Sequence, residues 1–585
     1  MLKVQHHRGP DATCVWTDEK VFLGHNRLSI IDLSEAANQP MHYKSFSLIF
    51  NGEIYNYIEL KQELQQKGHQ FVTQSDSEVI LHAFEEWGHN CVNRFIGMWS
   101  FVIWDKQKQS LFASRDRFGI KPFNYLHDGE RFYFASEIKT LKLSPLFSNE
   151  VNVAQVARGL QMGWLSYHDE TFYAKVKSLP AAHNLVFDNS GLHIKRYWDI
   201  ETGKYSSMSF AEKTEMFQSL FSDSVRIHLR SDVPVASCLS GGLDSSAIVS
   251  MVQKLHPGMK YKSFSIYYEG DGDVDERPFI REVIKKYPAI EPHYYSPSNE
   301  EVAEEFPRAL YHSDVPVTGS SFVSQYFLMK LIAKNGIRVV LDGQGADEYL
   351  GGYMHSFYRL IGGMLRRAEM AGAVSETMRV NKRIGNSTTK MASHFAKSLL
   401  ASTRSEQDLY SLEFSRYYPF MTTMPSSPPP FSLNHKKGSR LDQFLYHLLF
   451  TISLPSLLHY EDRNSMAFSV ESRVPFLDHR LVEFAFGLAD EDKIHKADTK
   501  YILREALKNT LPEAIYARKD KKGFVTPGEN KWLRGPLKHL IDNPVFPEFI
   551  NNEKANSILT QYRKGDNSNA TLVWRLATLA EWGKG

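Results

Sequence analysis

The spacing of apolar and polar positions divides the chain into two differently patterned regions. Up to about residue 199, short apolar runs of strand length alternate with turn residues, as at 47–50, 98–104 and 132–135. Two stretches in this region, 57–67 and 77–87, have the three-to-four-residue apolar spacing of helices. Short strands with few helices predict a layered α+β domain.

From residue 210 the pattern changes to helices that alternate with short, continuously apolar strands. A helix is expected at 210–229, and strands are expected at 233–239, 262–268 and 337–341, each followed by polar or glycine turn residues. Strands that alternate with helices predict a parallel α/β sheet.

The remaining pattern completes a two-domain prediction. Beyond residue 351 the spacing is mostly helical, and the SSPPP run at 426–430 predicts a loop. We therefore expect an α+β domain over 1–199 and an α/β domain with a mostly helical end over 205–585.

Composition narrows the class of protein. The 585 residues are 42% hydrophobic and 23% charged, and 69 basic residues against 67 acidic ones leave a net charge of +2. No basic stripe indicates a nucleic-acid partner, no apolar run is long enough to predict a membrane span, and no leader pattern is visible. Three dispersed cysteines, without disulfide or metal-site spacing, fit a reducing compartment, so cytoplasm is the expected location.

A glycine-rich turn after the predicted strand 233–239 carries the first chemical signal. It reads SGGLDSS over 240–246 and leads into a helix. Paired glycines permit a tight bend, and backbone N–H groups at a helix start can cradle a phosphate. Asp244 within that cradle predicts a divalent cation that bridges it to the phosphates. A plain turn with serine caps is the alternative.

A second signal follows the predicted strand 337–341, where the chain reads DGQGADE over 342–348. The carboxyl ends of parallel strands share one sheet edge, so Asp347 should lie near Asp244, and the two could hold one Mg²⁺. Acidic residues that merely favour a helix start are the alternative for Asp347.

These motifs resemble those of known enzymes. SGGLDSS resembles the pyrophosphate loop of the ATP pyrophosphatase superfamily, and DGQGADE resembles a segment of glutamine-dependent asparagine synthetases. EDRNSMA at 461–467 and ESRVPFLD at 471–478 resemble that family's substrate-site helices. KYILR at 500–504 and KKGF at 521–524, followed by Pro527 and Trp532, resemble its C-terminal signatures.

The resemblance extends through the N-terminal region. HRGPD at 7–11, HNRLSI at 25–30, NGEIYN at 51–56 and SDSE at 75–78 resemble the family's glutaminase domain, which has an N-terminal-nucleophile hydrolase fold with four α-β-β-α layers. A hairpin turn at Asn51-Gly52 is the alternative without the family context.

The resemblance implies specific roles for residues of this sequence. Arg27 would pair with the glutamine α-carboxylate, Asp76 would hold its α-amino group, and Asn51 with Gly52 would form an oxyanion hole. Lys500 would stabilise charge during adenylation. Glu53 would complete the glutamine site, Gln344 would act beside the acceptor, and the Mg²⁺ ligands would be Asp244 and Asp347. The ATP site would comprise Leu239, Ser240, Gly241, Gly242, Asp244, Ser245, Ile266, Asp342 and Gly343.

Two departures from the family limit the prediction. Gln344 stands where many relatives have a glutamate, and an amide can hydrogen-bond but cannot act as a base. The family's nucleophilic cysteine follows the initiator methionine, whereas this sequence begins Met1-Leu2-Lys3 just before HRGPD. We therefore expect an N-terminally truncated glutaminase domain without a nucleophile, and activity that depends on ammonia rather than on glutamine.

The resulting expectation is an ATP- and Mg²⁺-dependent ligase. It would convert aspartate to asparagine through β-aspartyl-AMP, with nitrogen from glutamine or free ammonia, and its oligomeric state would be a monomer or a homodimer. The alternatives are an enzyme of the same scaffold that amidates or cyclises another carboxylate, and a non-catalytic binding or regulatory subunit.

Overall fold

The computed structural model describes residues 1–205, 207–269, 275–384, 388–415, 420–422, 431–520, 524 and 526–584. The predicted loop at 426–430 and residues 521–523 of the C-terminal signature lie outside the described residues. Within the described part of the chain, no helix combines the length and apolar character that crossing a bilayer requires.

The N-terminal region is rich in antiparallel strands. Its elements are β1 (Ala12–Thr17), β2 (Phe22–Arg27), β3 (Met41–Tyr43), β4 (Phe46–Ile54), α1 (Tyr57–Gln66), α2 (Asp76–Trp87), β5 (Gly97–Asp105), β6 (Ser110–Arg115), β7 (Asn124–His127), β8 (Phe132–Ala135), α3 (Ile138–Leu141), α4 (Val153–Met162), β9 (Lys177–Ser178), β10 (His183–Asp188) and β11 (Gly191–Arg196). A six-stranded sheet has the order β11-β10-β6-β5-β4-β3, and smaller sheets have the orders β1-β2 and β8-β7-β9.

One core of this region packs helices against the six-stranded sheet. Alternate residues of β4 and β5, such as Leu48, Phe50 and Phe101, are buried against Val79 and Ile80 of α2. This packing places the start of α2 beside the end of β4.

The C-terminal region alternates strands and helices and then becomes mostly helical. Its elements are α5 (Phe210–His228), β12 (Val235–Cys238), α6 (Leu243–Leu255), β13 (Tyr261–Ile266), α7 (Arg277–Lys286), β14 (Ile290–Tyr295), α8 (Asn299–Ser313), α9 (Ser321–Lys334), β15 (Val339–Leu341), α10 (Ala346–Leu350), α11 (Met354–Arg366), α12 (Met370–Ile384), α13 (Thr388–Thr403), α14 (Glu406–Ser415), α15 (Arg440–His447), α16 (Leu454–Met466), β16 (Glu471–Arg473), α17 (His479–Phe486), α18 (Asp490–Lys493), β17 (Ile494–His495), β18 (Asp498–Thr499), α19 (Tyr501–Ala506), α20 (Glu513–Tyr516), α21 (Gly528–Arg534), α22 (His539–Asp542), α23 (Asn552–Arg563) and α24 (Ala570–Trp582).

A five-stranded parallel sheet organises this region, with the order β14-β13-β12-β15-β16. The central strands β12 and β15 are neighbours, with Val235 opposite Val339 and Ser237 opposite Leu341. The chain segments that follow them therefore leave the sheet side by side. Both predicted fold classes, layered α+β and parallel α/β with a helical end, are confirmed.

One local prediction was wrong, and one alternative is excluded. The segment 471–478 is not a helix, because Glu471–Arg473 forms the edge strand β16 and Pro475–Leu477 forms a 3-10 turn. This strand is too short for a periodic pattern and is specified by its pairing with β15. The alternative hairpin at Asn51-Gly52 is also excluded, because β4 continues through both residues and pairs with β5.

Buried ion pairs join the two regions. Arg8 donates to Asp462 of α16 at 2.8 and 2.9 Å. Arg473 of β16 donates to Glu53 of β4 at 2.9 Å, and both side chains are at most 3% exposed. An isolated buried charge is costly, so these pairs favour one arrangement of the two regions.

Candidate functional site

The SGGLDSS turn is closed by its own serine hydroxyls. The backbone N–H of Gly242 donates to Ser240 Oγ at 3.2 Å, and Ser240 Oγ lies 3.1 Å from Ser245 Oγ. The turn connects Cys238, the last residue of β12, to Leu243, the first residue of α6. A helix start that follows a glycine turn directs backbone N–H groups toward one point, which is the arrangement that binds phosphate.

A lysine ammonium lies between two carboxylates below this turn. Lys500 Nζ is 2.5 Å from Asp244 Oδ2 and 2.6 Å from Asp347 Oδ1, and the lysine side chain is 5% exposed. Asp244 belongs to α6, Asp347 belongs to α10, and Lys500 directly precedes α19. The tertiary fold thus brings together three residues that are far apart in the sequence.

Gly352 leaves room for this cluster. A Cβ atom at this position would lie 1.7 Å from Asp347 Oδ1 and 2.7 Å from Lys500 Cε. Both distances are far below van der Waals contact, so a larger residue would displace the acid and the lysine together. The sequence analysis did not identify Gly352, although it lies four residues after the DGQGADE motif.

A cavity of about 140 Å³ opens over the cluster. Its lining includes most of the predicted residues, namely Ser240, Gly242, Asp244, Ser245, Asp342, Gly343, Gln344, Asp347 and Lys500. Three predicted residues lie outside this lining, namely Leu239, Gly241 and Ile266. The N–H of Leu239, a residue predicted for the ATP site, donates to the Phe264 carbonyl at 2.9 Å, so this backbone donor is already engaged in the sheet.

Two buried carboxyl groups lie beside the cavity. Burial raises the pKa of Asp342, and burial together with the charge of Asp342 raises the pKa of Glu461 well above its usual value. Glu461 accepts hydrogen bonds from Ser472 and Gln325. Raised pKa values favour the protonated form of each of these two carboxyl groups.

Several cavity residues were missed by the sequence analysis. Arg518 donates to Glu276 at 2.7 Å and to the carbonyl of Gly241 at 2.9 Å, so it supports the turn from behind. Glu276 and Arg518 belong to no local motif and are 242 positions apart. The other missed lining residues are Leu243, Gly352, Arg383, Thr499, Arg504, Lys519, Asp520 and Phe524. Of these, Leu243, Arg504 and Phe524 lie within the quoted SGGLDSS, KYILR and KKGF segments and could have been found.

A second cavity, of about 160 Å³, is lined mostly by the N-terminal region, with Met466 and Glu471 from the C-terminal region. All five residues predicted to bind glutamine line it, namely Arg27, Asn51, Gly52, Glu53 and Asp76. Asn51 Nδ2 is buried without a hydrogen-bond partner, which suits a donor that awaits an oxyanion. Gly52 has φ of 147°, and a Cβ there would lie 2.1 Å from the Met98 carbonyl oxygen, so only glycine fits this strand position.

The guanidinium of Arg27 is held by the surrounding backbone. It donates to the carbonyl of Ser34 at 2.7 Å, to Asn38 Oδ1 at 2.9 Å and to the carbonyl of Asp32. These contacts fix the orientation of the guanidinium at the cavity wall. Its predicted pairing with a glutamine carboxylate stays a prediction.

The acids of this cavity depend on the other region of the chain. Burial raises the pKa of Asp76 to about 6 and raises the pKa of Glu53 well above its usual value. Asp76 accepts a hydrogen bond from the N–H of Ile54 at 2.9 Å, and Glu53 pairs with Arg473. Arg473 also pairs with Glu471 at 2.8 Å, so one arginine neutralises acids from both regions.

Cys91 and Cys238 pack within hydrophobic cores, as predicted, whereas Cys14 is only partly buried. Cys14 lies in β1, Cys91 is fully buried, and Cys238 ends β12. Burial raises the pKa of both Cys91 and Cys238, which disfavours a reactive thiolate. None of the three lines either cavity.

Comparison with known proteins identifies the family. Residues 216–584 match the asparagine synthase family model, and residues 1–198 match that of the glutamine amidotransferase domain. The chain is 32% identical to asparagine synthetase [glutamine-hydrolyzing] 3 and 30% identical to asparagine synthetase [glutamine-hydrolyzing] 1, both of Bacillus subtilis (strain 168). These matches cover 98% of this chain and 93% and 91% of the relatives.

A relative with a different name is also similar. Amidase chyE of Penicillium rubens is 30% identical, over 94% of this chain and 87% of the relative. The family match extends over most of the parallel sheet, its phosphate-type turn and the helical end. This chain therefore belongs to the asparagine synthase family of ATP-dependent ligases, with a glutamine amidotransferase domain ahead of the ligase domain.

Proposed function

We propose that this chain converts aspartate to asparagine at the expense of ATP, with nitrogen from glutamine or from free ammonia. The observation that carries the proposal is the Lys500 ammonium, 2.5 and 2.6 Å from Asp244 and Asp347 below the phosphate-type turn. A cation in that position suits a reaction that gathers negative charge from a triphosphate and a carboxylate. The similarity to asparagine synthetases over 98% of the chain supports the choice of aspartate.

The first step is adenylation. The β-carboxylate of aspartate attacks the α-phosphorus of ATP, the bond to the bridging oxygen breaks, and pyrophosphate leaves with that electron pair. Backbone N–H groups of the 240–246 turn and the hydroxyls of Ser240 and Ser245 receive the pyrophosphate. Lys500 donates to the oxygens on which charge develops, and the product is β-aspartyl-AMP.

The second step is aminolysis. Ammonia attacks the activated carbonyl carbon, AMP leaves with the carboxylate oxygen, and the nitrogen loses a proton to give asparagine. Asp342 lines the cavity, and burial raises the pKa of Asp342 and of Glu461, which favours the protonated forms of both carboxyl groups. Gln344 lines the same cavity and orients the incoming groups through hydrogen bonds.

The acidic residues of the cluster fit a magnesium ion. Asp244 Oδ1 is buried without a hydrogen-bond partner, and Asp244 already shares a cationic group with Asp347. Carboxylate oxygens are the ligands that Mg²⁺ prefers, so Asp244 and Asp347 would hold the ion. Its chemical contribution when bound is to neutralise charge on the departing pyrophosphate.

The N-terminal cavity is the proposed glutamine site. Arg27 would pair with the α-carboxylate of glutamine, and Asp76 and Glu53 would face its α-amino group. Asn51 Nδ2, which has no hydrogen-bond partner, and the N–H of Gly52 would stabilise an oxyanion on the side-chain amide. This assignment rests on the shared cavity lining and on the match to the glutamine amidotransferase domain.

A second candidate substrate is another carboxylic acid. The amidase relative and the amide of Gln344, in place of the usual glutamate, both favour this reading. The same adenylation chemistry would then act on a different acceptor.

The domains of the proposed enzyme are 1–199 and 205–585. Size-exclusion chromatography with light scattering would distinguish a monomer from a homodimer.

Pyrophosphate release across a panel of carboxylic acids tests the proposal. The full chain is incubated with ATP, Mg²⁺ and either ammonium chloride or glutamine, with amino acids, sugar acids and aromatic acids as acceptors. Release with aspartate well above that of every other acid, together with asparagine detected by mass spectrometry, is expected. If another acid gives the highest release, the second candidate is correct. If no acid exceeds buffer, the chain is a non-catalytic subunit.

A further inference from the structure

Two histidines and a glutamate converge beside α2, and none of them lines either cavity. His69 Nδ1 is 3.0 Å from His82 Nδ1 and 3.6 Å from Glu85 Oε2. The three atoms all lie within 4.8 Å of one another. His82 and Glu85 are three residues apart on α2, so they share one helix face, and His69 reaches them from the segment between α1 and α2.

The polar atoms of this cluster are not satisfied by the protein alone. Glu85 Oε2 is buried without a hydrogen-bond partner. His82 is completely buried, and its Nε2 also has no hydrogen-bond partner. The contact between the two Nδ1 atoms thus lies beside a buried carboxylate oxygen that has no hydrogen-bond partner.

Two of the three distances between the ligand atoms are close to those of a tetrahedral zinc site. Zinc–nitrogen and zinc–oxygen bonds of about 2.0–2.2 Å place neighbouring ligand atoms about 3.3–3.5 Å apart. The observed 3.0 Å between nitrogens and 3.6 Å between nitrogen and oxygen lie on either side of this value. Imidazole nitrogens with one carboxylate are a donor set that zinc favours over magnesium or calcium.

We propose that His69 Nδ1, His82 Nδ1 and Glu85 Oε2 bind one Zn²⁺ ion, with water as the fourth ligand. His82 Nε2 then faces Glu78 Oε1 at 3.6 Å, which places a carboxylate behind the ligating ring. The rings of Tyr43 and Phe71 pack against His82 at 4.1 and 4.2 Å and shield the site from bulk solvent.

The two neighbouring lysines, Lys44 and Lys67, do not occupy the three proposed ligand atoms. Lys44 donates to Glu85 Oε1, which is the oxygen that the proposed zinc does not use, and its side chain is 60% exposed. Lys67 pairs with Glu86 at 2.9 Å rather than with the proposed ligands.

Zinc would stabilise α2, which contributes Asp76 to the second cavity, the proposed glutamine site, which we call the glutamine cavity. The ion would tie the segment after α1 to the middle of α2, whose first residue is Asp76. The zinc site is distinct from the cavity over the Lys500 cluster, which we call the synthetase cavity, because none of its three ligands lines that cavity. The inference does not depend on the proposed reaction.

Metal binding by the full chain tests the inference. Zn²⁺ binding is measured by isothermal titration calorimetry on chelator-treated protein, and Co²⁺ is added separately for visible absorption spectroscopy. We expect one zinc per chain that survives a millimolar excess of Mg²⁺, and an intense tetrahedral Co²⁺ spectrum. We expect His69→Gln and Glu85→Gln, which alter partly exposed ligands, to weaken Zn²⁺ binding by more than about 100-fold, the upper range for loss of an outer-shell partner alone.

His256→Gln is the matched control, because His256 is exposed and lies outside the cluster. Its zinc affinity and Co²⁺ spectrum should equal those of the parent chain. The proposal is overturned if the parent binds no zinc, or if both cluster variants, shown to be folded by circular dichroism, retain the parent affinity. Zinc that Mg²⁺ displaces in full would place the ion at Asp244 and Asp347 and would equally overturn it.

Discussion

The two cavities have similar volumes, about 140 and 160 Å³, but they balance their charges in different ways. Every described residue that lines the synthetase cavity belongs to the C-terminal region, and Lys500 of that region neutralises both of its central acids. In the glutamine cavity, Arg27 is engaged by the adjacent backbone, and the counter-charge for Glu53 is Arg473 of the other region.

This difference indicates which site depends on domain contact. The synthetase cluster is complete once the parallel sheet and its helices have folded. The acids of the glutamine cavity are neutralised only when β16 lies against β4. The interface therefore contributes to the electrostatics of one site and not to those of the other.

The largest effect should follow from Lys500→Met. Loss of the ammonium removes a charge-stabilising donor, so aspartate-dependent pyrophosphate release should fall about a thousandfold. Lys508→Met, which changes an exposed lysine outside the cavity lining, should retain the parent rate. A Lys500→Met variant with more than a tenth of the parent kcat would contradict the charge-balancing role.

Arg473→Met should separate the two cavities. The substitution leaves Glu53 and Glu471 buried without their cation, which should destabilise the N-terminal region by about 3 kcal/mol and lower its Tm by several degrees. The control is Arg338→Met. This change breaks the ion pair between Asp11 and the Arg338 side chain, which is 42% exposed, and should lower the free energy of unfolding by less than about 1 kcal/mol. Adding Glu53→Gln to Arg473→Met should restore part of the loss. Equal Tm values for the two single variants would show that the buried pair has no special role.

Gly352→Ala should disturb only the synthetase cavity. The added methyl group would displace Asp347 and Lys500 by an ångström or more, and misplacement on this scale costs about 100-fold in rate. Gly319→Ala is the matched control, since the nearest atom to its Cβ would be Ser321 Oγ at 3.9 Å. Glutamine binding, measured by calorimetry, should be unchanged in both variants, and a loss of binding in Gly352→Ala would disprove the independence of the two sites.

The smallest expected effect is the pH dependence of glutamine binding. The pKa of Asp76 is raised to about 6 by burial, so its carboxylate form, which attracts the α-ammonium group, increases as the pH rises through 6. Affinity should therefore increase about tenfold between pH 5 and pH 7. Asp76→Asn cannot ionise and should bind weakly with a flat profile over this range. A parent profile that falls with rising pH would refute the assignment.

The sequence predicted the elements whose patterns are local. Apolar runs ending in polar turns located the central strands β12, β13 and β15, and helical spacing located α1, α2 and α5. Because parallel strands end at a common edge, the proximity of Asp244 and Asp347 also followed from the pattern. The two-residue β17 and β18 and the three-residue β16 were missed, since strands this short carry no period and are specified by pairing.

The sequence and the tertiary structure determined different features of this protein. The sequence by itself determined the two fold classes and the phosphate-type turn, because these depend on local spacing and backbone freedom, and its resemblance to a known family implied the five residues of the N-terminal cavity. The folded chain decided that Arg518 supports the turn, that Arg473 neutralises Glu53 and that His69 meets His82 and Glu85. The first two contacts join residues hundreds of positions apart, and the third joins two packed segments, so packing alone sets which charges and donor atoms meet.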